Sequence, residues 1–200
     1  MTQITLYHSR FSRSMTAYWM LEELGVPFEV VTKDIREGAN KDSELTALNP
    51  HGKVPTVVID DVVLFERPAI CIYLADRFSP GVLAPALDAP NRGEYLKWMV
   101  YAVTVMEDSM LAHAANLEVD PVQVGWDRFE VMVDVLDARL SSSPYVAGDE
   151  FTAADVMMGS NLGWGLKTGV LEKRDSFVRY FDELSRREPY KRAEDATYST

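Results

Sequence analysis

Along the first eighty residues the apolar positions come in short alternating or β-branched runs, and beyond about residue 90 they recur at helical spacing. Gln3 to Tyr7 alternates and predicts a first strand. His8 to Ser14 is polar and reads as a loop. Met15, Tyr18, Trp19 and Leu24 follow at near-helical spacing, with Gly25 placed as a C-cap. Pro27 precedes a second strand, Phe28 to Thr32. The charged connection from Ile35 to Lys41 is expected to be mobile, and Ser43 to Leu48 a short helix. Asn49-Pro50 and His51-Gly52 are turn residues. Thr56 to Ile59 and Val62 to Phe65 are β-branched and apolar, and Asp60-Asp61 between them fits a tight hairpin. Pro68 suits the first turn of a helix running to Phe78, because the amide it lacks would be unpaired there. The order is βαβαββα, a mixed sheet layered with helices.

Ser79-Pro80-Gly81 ends that helix. From Asn91 onward no strand is evident. Tyr95, Trp98, Met99, Ala102, Val105 and Met106 form one helical stripe, and Phe129, Met132, Val133, Leu136 and Leu140 another. Thr152 and Asp155 have capping-box spacing at the start of a further helix. Phe177 to Leu184 predicts a short helix, and the polar tail after Lys191 is expected to fray. The chain thus reads as an α/β domain over 1–80, a linker over 81–90 and an all-α domain over 91–200.

Composition narrows the function. Two hundred residues, 47% of them hydrophobic and 26% charged, fit a globular protein with a sizeable core. The net charge of -11 argues against nucleic acid and against an anionic membrane surface. An anionic ligand must be held by a local positive site. The single cysteine, Cys71, excludes an internal disulfide and a Cys-x-x-Cys pair, and reads as a small buried hydrophobe. Three separated histidines give a metal site no support. The first residues lack the basic and apolar regions of a signal peptide, and no stretch is apolar enough to span a membrane, so a cytoplasmic location is expected.

Two features suggest chemistry. Pro55 stands at the head of a strand, where it donates no amide. A cis Val54-Pro55 bond would leave the Val54 amide and carbonyl to pair with an extended, peptide-like ligand. Glu66-Arg67 falls at a strand-to-helix junction, where free amides hold a carboxylate and Glu66 an ammonium beside it. Together they would recognise an α-amino acid end. Each feature alone is ordinary: a strand-entry proline and a solvated Glu-Arg pair.

The Lys53-Val54-Pro55 step, the Glu66-x-x-Ala69-Ile70 helix start and the Tyr7-to-Pro27 segment resemble the thioredoxin-like domain of cytosolic glutathione S-transferases, in their bacterial, theta-like branch. Phe151 to Asp155 is similar to the capping box of that family's helical domain. The resemblance covers nearly the whole chain. It implies a transferase that conjugates glutathione to a small hydrophobic electrophile, with no cofactor beyond glutathione itself, a role in detoxification, and a homodimer. Glutathione attacks as a thiolate, and lowering the ordinary thiol pKa of about 8.5 by one or two units takes roughly 1.4–3 kcal/mol. In the theta-like branch a serine near the first helix supplies this, and it aligns with Ser12. Ser9 and Ser14 are its neighbours, Tyr7 a lesser rival, and a helix cap is the other role a serine takes here. The resemblance gives Val54 backbone pairing with the cysteinyl part, Lys53 a carboxylate contact that competes with a solvated turn, and Glu66 the γ-glutamyl ammonium. Arg67 stands where the family has serine. Its amide can bind the carboxylate, while its guanidinium can add a contact, crowd the site or pair across a dimer. Two other readings stay open: a glutathione-dependent isomerase, dehalogenase or peroxidase, and a non-catalytic binding or regulatory protein. Tyr101, Met106, His113 and Trp164 are candidate walls of the second pocket.

Overall fold

The computed structural model describes residues 2–38 and 41–198. Of the connection expected to be mobile, residues 39 and 40 lie outside the described residues, as do 199 and 200 of the tail. Four strands form one mixed sheet in the order β2-β1-β3-β4. Strand β1 (Ile4–His8) runs parallel to β2 (Glu29–Thr32) and antiparallel to β3 (Thr56–Ile59), which forms a hairpin with β4 (Val62–Phe65). The hairpin turns on Asp60, whose φ of 52° lies in the left-handed region that aspartate tolerates. Its carboxylate accepts from the Gln3 amide and from Arg77, pinning the turn to both chain neighbours.

Helices α1 (Ser14–Leu24), α2 (Ser43–Leu48) and α3 (Arg67–Phe78) complete the predicted βαβαββα order. Trp19, Met20 and Leu21 of α1 are fully buried, as are Ile70, Cys71 and Leu74 of α3. Gly25 ends α1 in the left-handed conformation that a C-cap needs. Asp42 caps α2, accepting from the Glu44 and Leu45 amides.

The chain forms two compact units, Met1–Ser79 with Arg186–Thr200, and Pro80–Ser185. The last segment therefore corrects two expectations: the tail does not fray from Lys191, and it does not lie within the helical domain. It forms helix α9 (Glu188–Tyr198), which packs on α1. Trp19 explains why. Its ring meets Tyr190 edge-on at 4.9 Å, its indole N–H donates to Glu23, and Glu23 receives a two-pronged contact from Arg187. Without α9 this large side chain would face water.

Helices are the main elements of the Pro80–Ser185 unit: α4 (Arg92–Tyr101), α5 (Asp108–Ala114), α6 (Phe129–Ser142), α7 (Ala153–Thr168) and α8 (Asp175–Ser185). Between α4 and α5 the predicted stripe widens into a π-helical stretch, Ala102–Glu107. There the Asn161 side chain, from α7, takes the Ala102 carbonyl, and such an insertion opens the usual ladder. At the head of α7 the capping box is complete. Asp155, fully buried, accepts from the Thr152 amide and hydroxyl, the Val146 amide and the Tyr180 hydroxyl.

Candidate active site

Sheet register collects the candidate residues. Tyr7 pairs with Thr56, and Thr56 with Phe65. The exit of β1, the entry of β3 and the exit of β4 therefore share one end of the sheet. The serine loop, the Val54-Pro55 step and the Glu66-Arg67 junction all leave from that end. The sequence carries these segments some forty and ten residues apart, and the pairing alone brings them together.

The Val54-Pro55 bond is cis. The Val54 side chain packs with Tyr7 and Leu45, while its backbone amide and carbonyl take no hydrogen bond among the described residues. The preceding turn is fixed by Asn49, which is buried. Its amide donates to the Lys53 carbonyl at 3.1 Å and to Thr56 Oγ1 at 3.2 Å, and its oxygen accepts from the His51 amide. Lys53 itself is exposed, with its carbonyl also held by the Thr56 hydroxyl.

Glu66 is exposed and adopts a φ of 71°, an unusual conformation for a non-glycine residue, at the N-cap of α3. Its side chain caps nothing; its carbonyl accepts from Ile70. Arg67 opens the helix with its side chain turned inward. The guanidinium is buried and donates to Thr16 Oγ1 on α1 at 3.2 Å.

The serine loop is more elaborate than its sequence suggests. Ser12 is half-buried, whereas Ser9 and Ser14 are buried. Ser12 Oγ donates to the Ser9 carbonyl at 2.7 Å, lies 2.7 Å from Ser14 Oγ, and accepts from the Ser14 amide at 3.2 Å. That last contact is a partial cap, since Ser14 begins α1 and Arg13 makes no side-chain cap. Ser14 Oγ in turn shares a 2.8 Å hydrogen bond with Nδ1 of His8. His8 is buried, and burial lowers its pKa, partly offset by the nearby Ala196 carbonyl of α9. Tyr7 is engaged elsewhere: its hydroxyl donates to Glu44 at 2.7 Å, and burial, followed by that carboxylate, pushes its pKa up to about 12. Cys71 is sealed in the core, where burial raises its thiol to about 12.

Sequence reasoning missed His8, Asn49 and Thr16. A signal for His8 was present, because Ile4, Leu6 and His8 alternate onto one strand face and all three are buried. In the helical unit, a cavity of about 720 Å³ is lined by Thr104, Asp108, Leu111, Leu117, Val119 and Trp126 among others. None of the four anticipated walls lines it. Met106 is core, Tyr101 packs on Trp98, His113 stacks on Phe129 at 3.8 Å, and Trp164 is partly exposed. Among the described residues no helix is long and apolar enough to cross a membrane.

The N-terminal domain of glutathione S-transferases matches residues 2–76, and the C-terminal domain of the same family matches residues 84–164. The chain belongs to the glutathione S-transferase family. Glutathione S-transferase F10 of Arabidopsis thaliana is 27% identical across 98% of each chain. Glutathione S-transferase 3 of Schizosaccharomyces pombe is 32% identical over 78% of this chain and 71% of its own. Among solved structures, a ternary complex of BphK, a bacterial glutathione S-transferase, is 25% identical with a TM-score of 0.81, covering 96% of this chain and 98% of its own. A sphingomonad glutathione S-transferase solved with glutathione shares the fold, at 24% identity and a TM-score of 0.77 over 96% and 98% of the two chains. Family and fold support glutathione transferase activity for this member.

Proposed function

We propose that this transferase binds glutathione at the shared sheet end and holds its thiolate with the Ser12 hydroxyl, for attack on a small hydrophobic electrophile. The observation that carries the reading is the convergence there of three complementary features. Ser12 is the serine of the loop that is not buried, the Val54 backbone is unpaired among the described residues, and Glu66 stands exposed at the start of α3. In this reading Val54 extends the sheet onto the cysteinyl residue. Glu66 takes the γ-glutamyl ammonium and the Arg67 amide its carboxylate. Lys53 meets the second carboxylate. Arg67 contributes through its backbone, because its side chain is buried with one guanidinium N–H on Thr16. The inward side chain also weakens the case for a non-catalytic protein, which rested on Arg67 crowding the ligand. The electrophile is expected to be small and hydrophobic, and a homodimer is the expected assembly.

Glutathione titrated into the protein tests the reading, with thiolate absorbance followed against pH. The bound thiol is expected to ionise one to two units below its free value of about 8.5. Ser12→Ala is expected to abolish most of that shift, a loss of roughly 1.4–3 kcal/mol of thiolate stabilisation. An unchanged bound-thiol pKa in Ser12→Ala would remove Ser12 from the role, and no binding at millimolar glutathione would sink the whole assignment.

A further inference from the structure

Behind Ser12 the hydrogen bonds do not end at the helix cap. They continue inward through Ser14 Oγ, 2.7 Å away, to His8 Nδ1, a further 2.8 Å. Side chains from the end of β1, the loop and the start of α1 thus form a line from a half-buried hydroxyl to a buried imidazole. A buried histidine needs a reason to be there, and a packing role asks only for an apolar ring.

Counting protons gives the line a direction. Ser14 Oγ accepts from the Ser9 amide at 3.1 Å, and its own hydrogen has three nearby takers: His8 Nδ1, Ser12 Oγ and the Ser9 carbonyl at 3.1 Å. The Ser12 hydroxyl already serves the Ser9 carbonyl at 2.7 Å. On the imidazole the tautomer is set by what surrounds the ring. Nε2 is buried with no hydrogen-bond partner among the described residues, and the backbone of Ala196 helps the ring hold a proton. The relay takes the tautomer with hydrogen on Nε2, which leaves the Nδ1 lone pair toward Ser14. The remaining surroundings carry no charge. Tyr18 of α1 presents its ring edge-on at 5.5 Å, and Thr32 is the neighbour on β2. Lys33, next along, reaches His8 only through its backbone amide, its ammonium being spent on Asp42 and Glu44.

We infer that His8 is the proton acceptor for the thiol of bound glutathione, reached through Ser12 and Ser14. The step rests on the glutathione reading given above, and it balances. The S–H bond breaks and its proton goes to Ser12 Oγ. The Ser12 proton turns from the Ser9 carbonyl onto Ser14 Oγ, and the Ser14 proton passes to His8 Nδ1. No net charge is created. A neutral thiol and imidazole become a thiolate and an imidazolium, and the hydrogen bonds of the line then point at sulfur. Afterwards Nδ1–H donates to Ser14, Ser14 to Ser12, and Ser12 to the thiolate. Each donor is polarised by the one behind it, so the line stabilises the anion more than an isolated serine does. His8 is here a general base acting through two hydroxyls.

With only three histidines in the chain, isotope-labelled histidine allows the His8 ring to be followed directly by nitrogen NMR. On adding glutathione the His8 signals are expected to shift to those of an imidazolium. S-methylglutathione, which has no thiol proton, is expected to bind and leave the ring neutral. Ser14→Ala should abolish the shift, and Ser14→Thr, which keeps the hydroxyl, should restore it. Bound glutathione that is ionised while His8 stays neutral overturns the relay and leaves the transferase reading standing. An imidazolium formed equally with S-methylglutathione also overturns it. Failure of the parent protein to ionise bound glutathione at all overturns the transferase reading, and the relay falls with it.

Discussion

Asn49 shapes the ligand-facing turn without facing a ligand. Its three side-chain hydrogen bonds hold the loop that ends in Val54, and it is buried, so removing it strands donors and acceptors away from water. Asn49→Ala is expected to cost about 1–3 kcal/mol of stability, read from urea denaturation, together with a rise in the dissociation constant for glutathione. Stability and affinity both unchanged would show that the turn holds itself. The sequence marks Asn49-Pro50 as turn chemistry but does not reveal this role, because the Lys53 and Thr56 partners are chosen by the loop's folded path. His8 is the opposite case: its position in the strand alternation already placed it inward. Arg67 lies between them. Its departure from the family's serine is plain in the sequence, but the buried direction of its side chain depends on Thr16, fifty-one positions earlier.

At the scale of elements, local pattern and tertiary demand divide the work. The βαβαββα order and the α7 capping box follow from spacing and turn residues, and the structure reproduces both. The π-helical stretch was not legible, since Asn161 reaches Ala102 only once α7 packs against it. Nor was α9: only Tyr190, Ala193 and Thr197 of its eleven residues are buried, too sparse a stripe among polar residues to announce a helix. The capping box gives a pH prediction. Asp155 is raised from 3.8 to about 6 because burial outweighs its hydrogen-bond donors. The folded state therefore holds this proton more tightly than the unfolded chain. Stability contributed by the protonated acid is present below about pH 4 and is lost as pH rises through 6, on the order of 3 kcal/mol in all. The melting temperature of Asp155→Asn should lack that component between pH 4 and 7. Parallel pH profiles for parent and variant would show that the carboxylate is already ionised in the fold.

For the whole molecule, the notable fact is that the first unit is built from both ends of the chain. Its α1 core depends on Tyr190 over Trp19 and on the Arg187–Glu23 pair, whose carboxylate is almost wholly buried. Deleting residues 186–200 uncovers the Trp19 ring and removes the arginine that pairs with Glu23, and the lost aromatic burial alone costs several kcal/mol. The expected result is loss of the cooperative transition at moderate temperature and red-shifted tryptophan emission, seen by circular dichroism and fluorescence. A truncated chain that melts like the parent would show that α9 is dispensable.

This arrangement also sets a schedule for synthesis. During translation the sheet and α1 emerge first, yet the surface of α1 that α9 covers must wait while more than a hundred intervening residues are made. Throughout that interval the nascent chain displays Trp19 as an exposed apolar patch, the kind of surface that chaperones and proteases recognise. Arrival of α9 closes it, so the first unit acquires its full core only after the whole helical unit has been made.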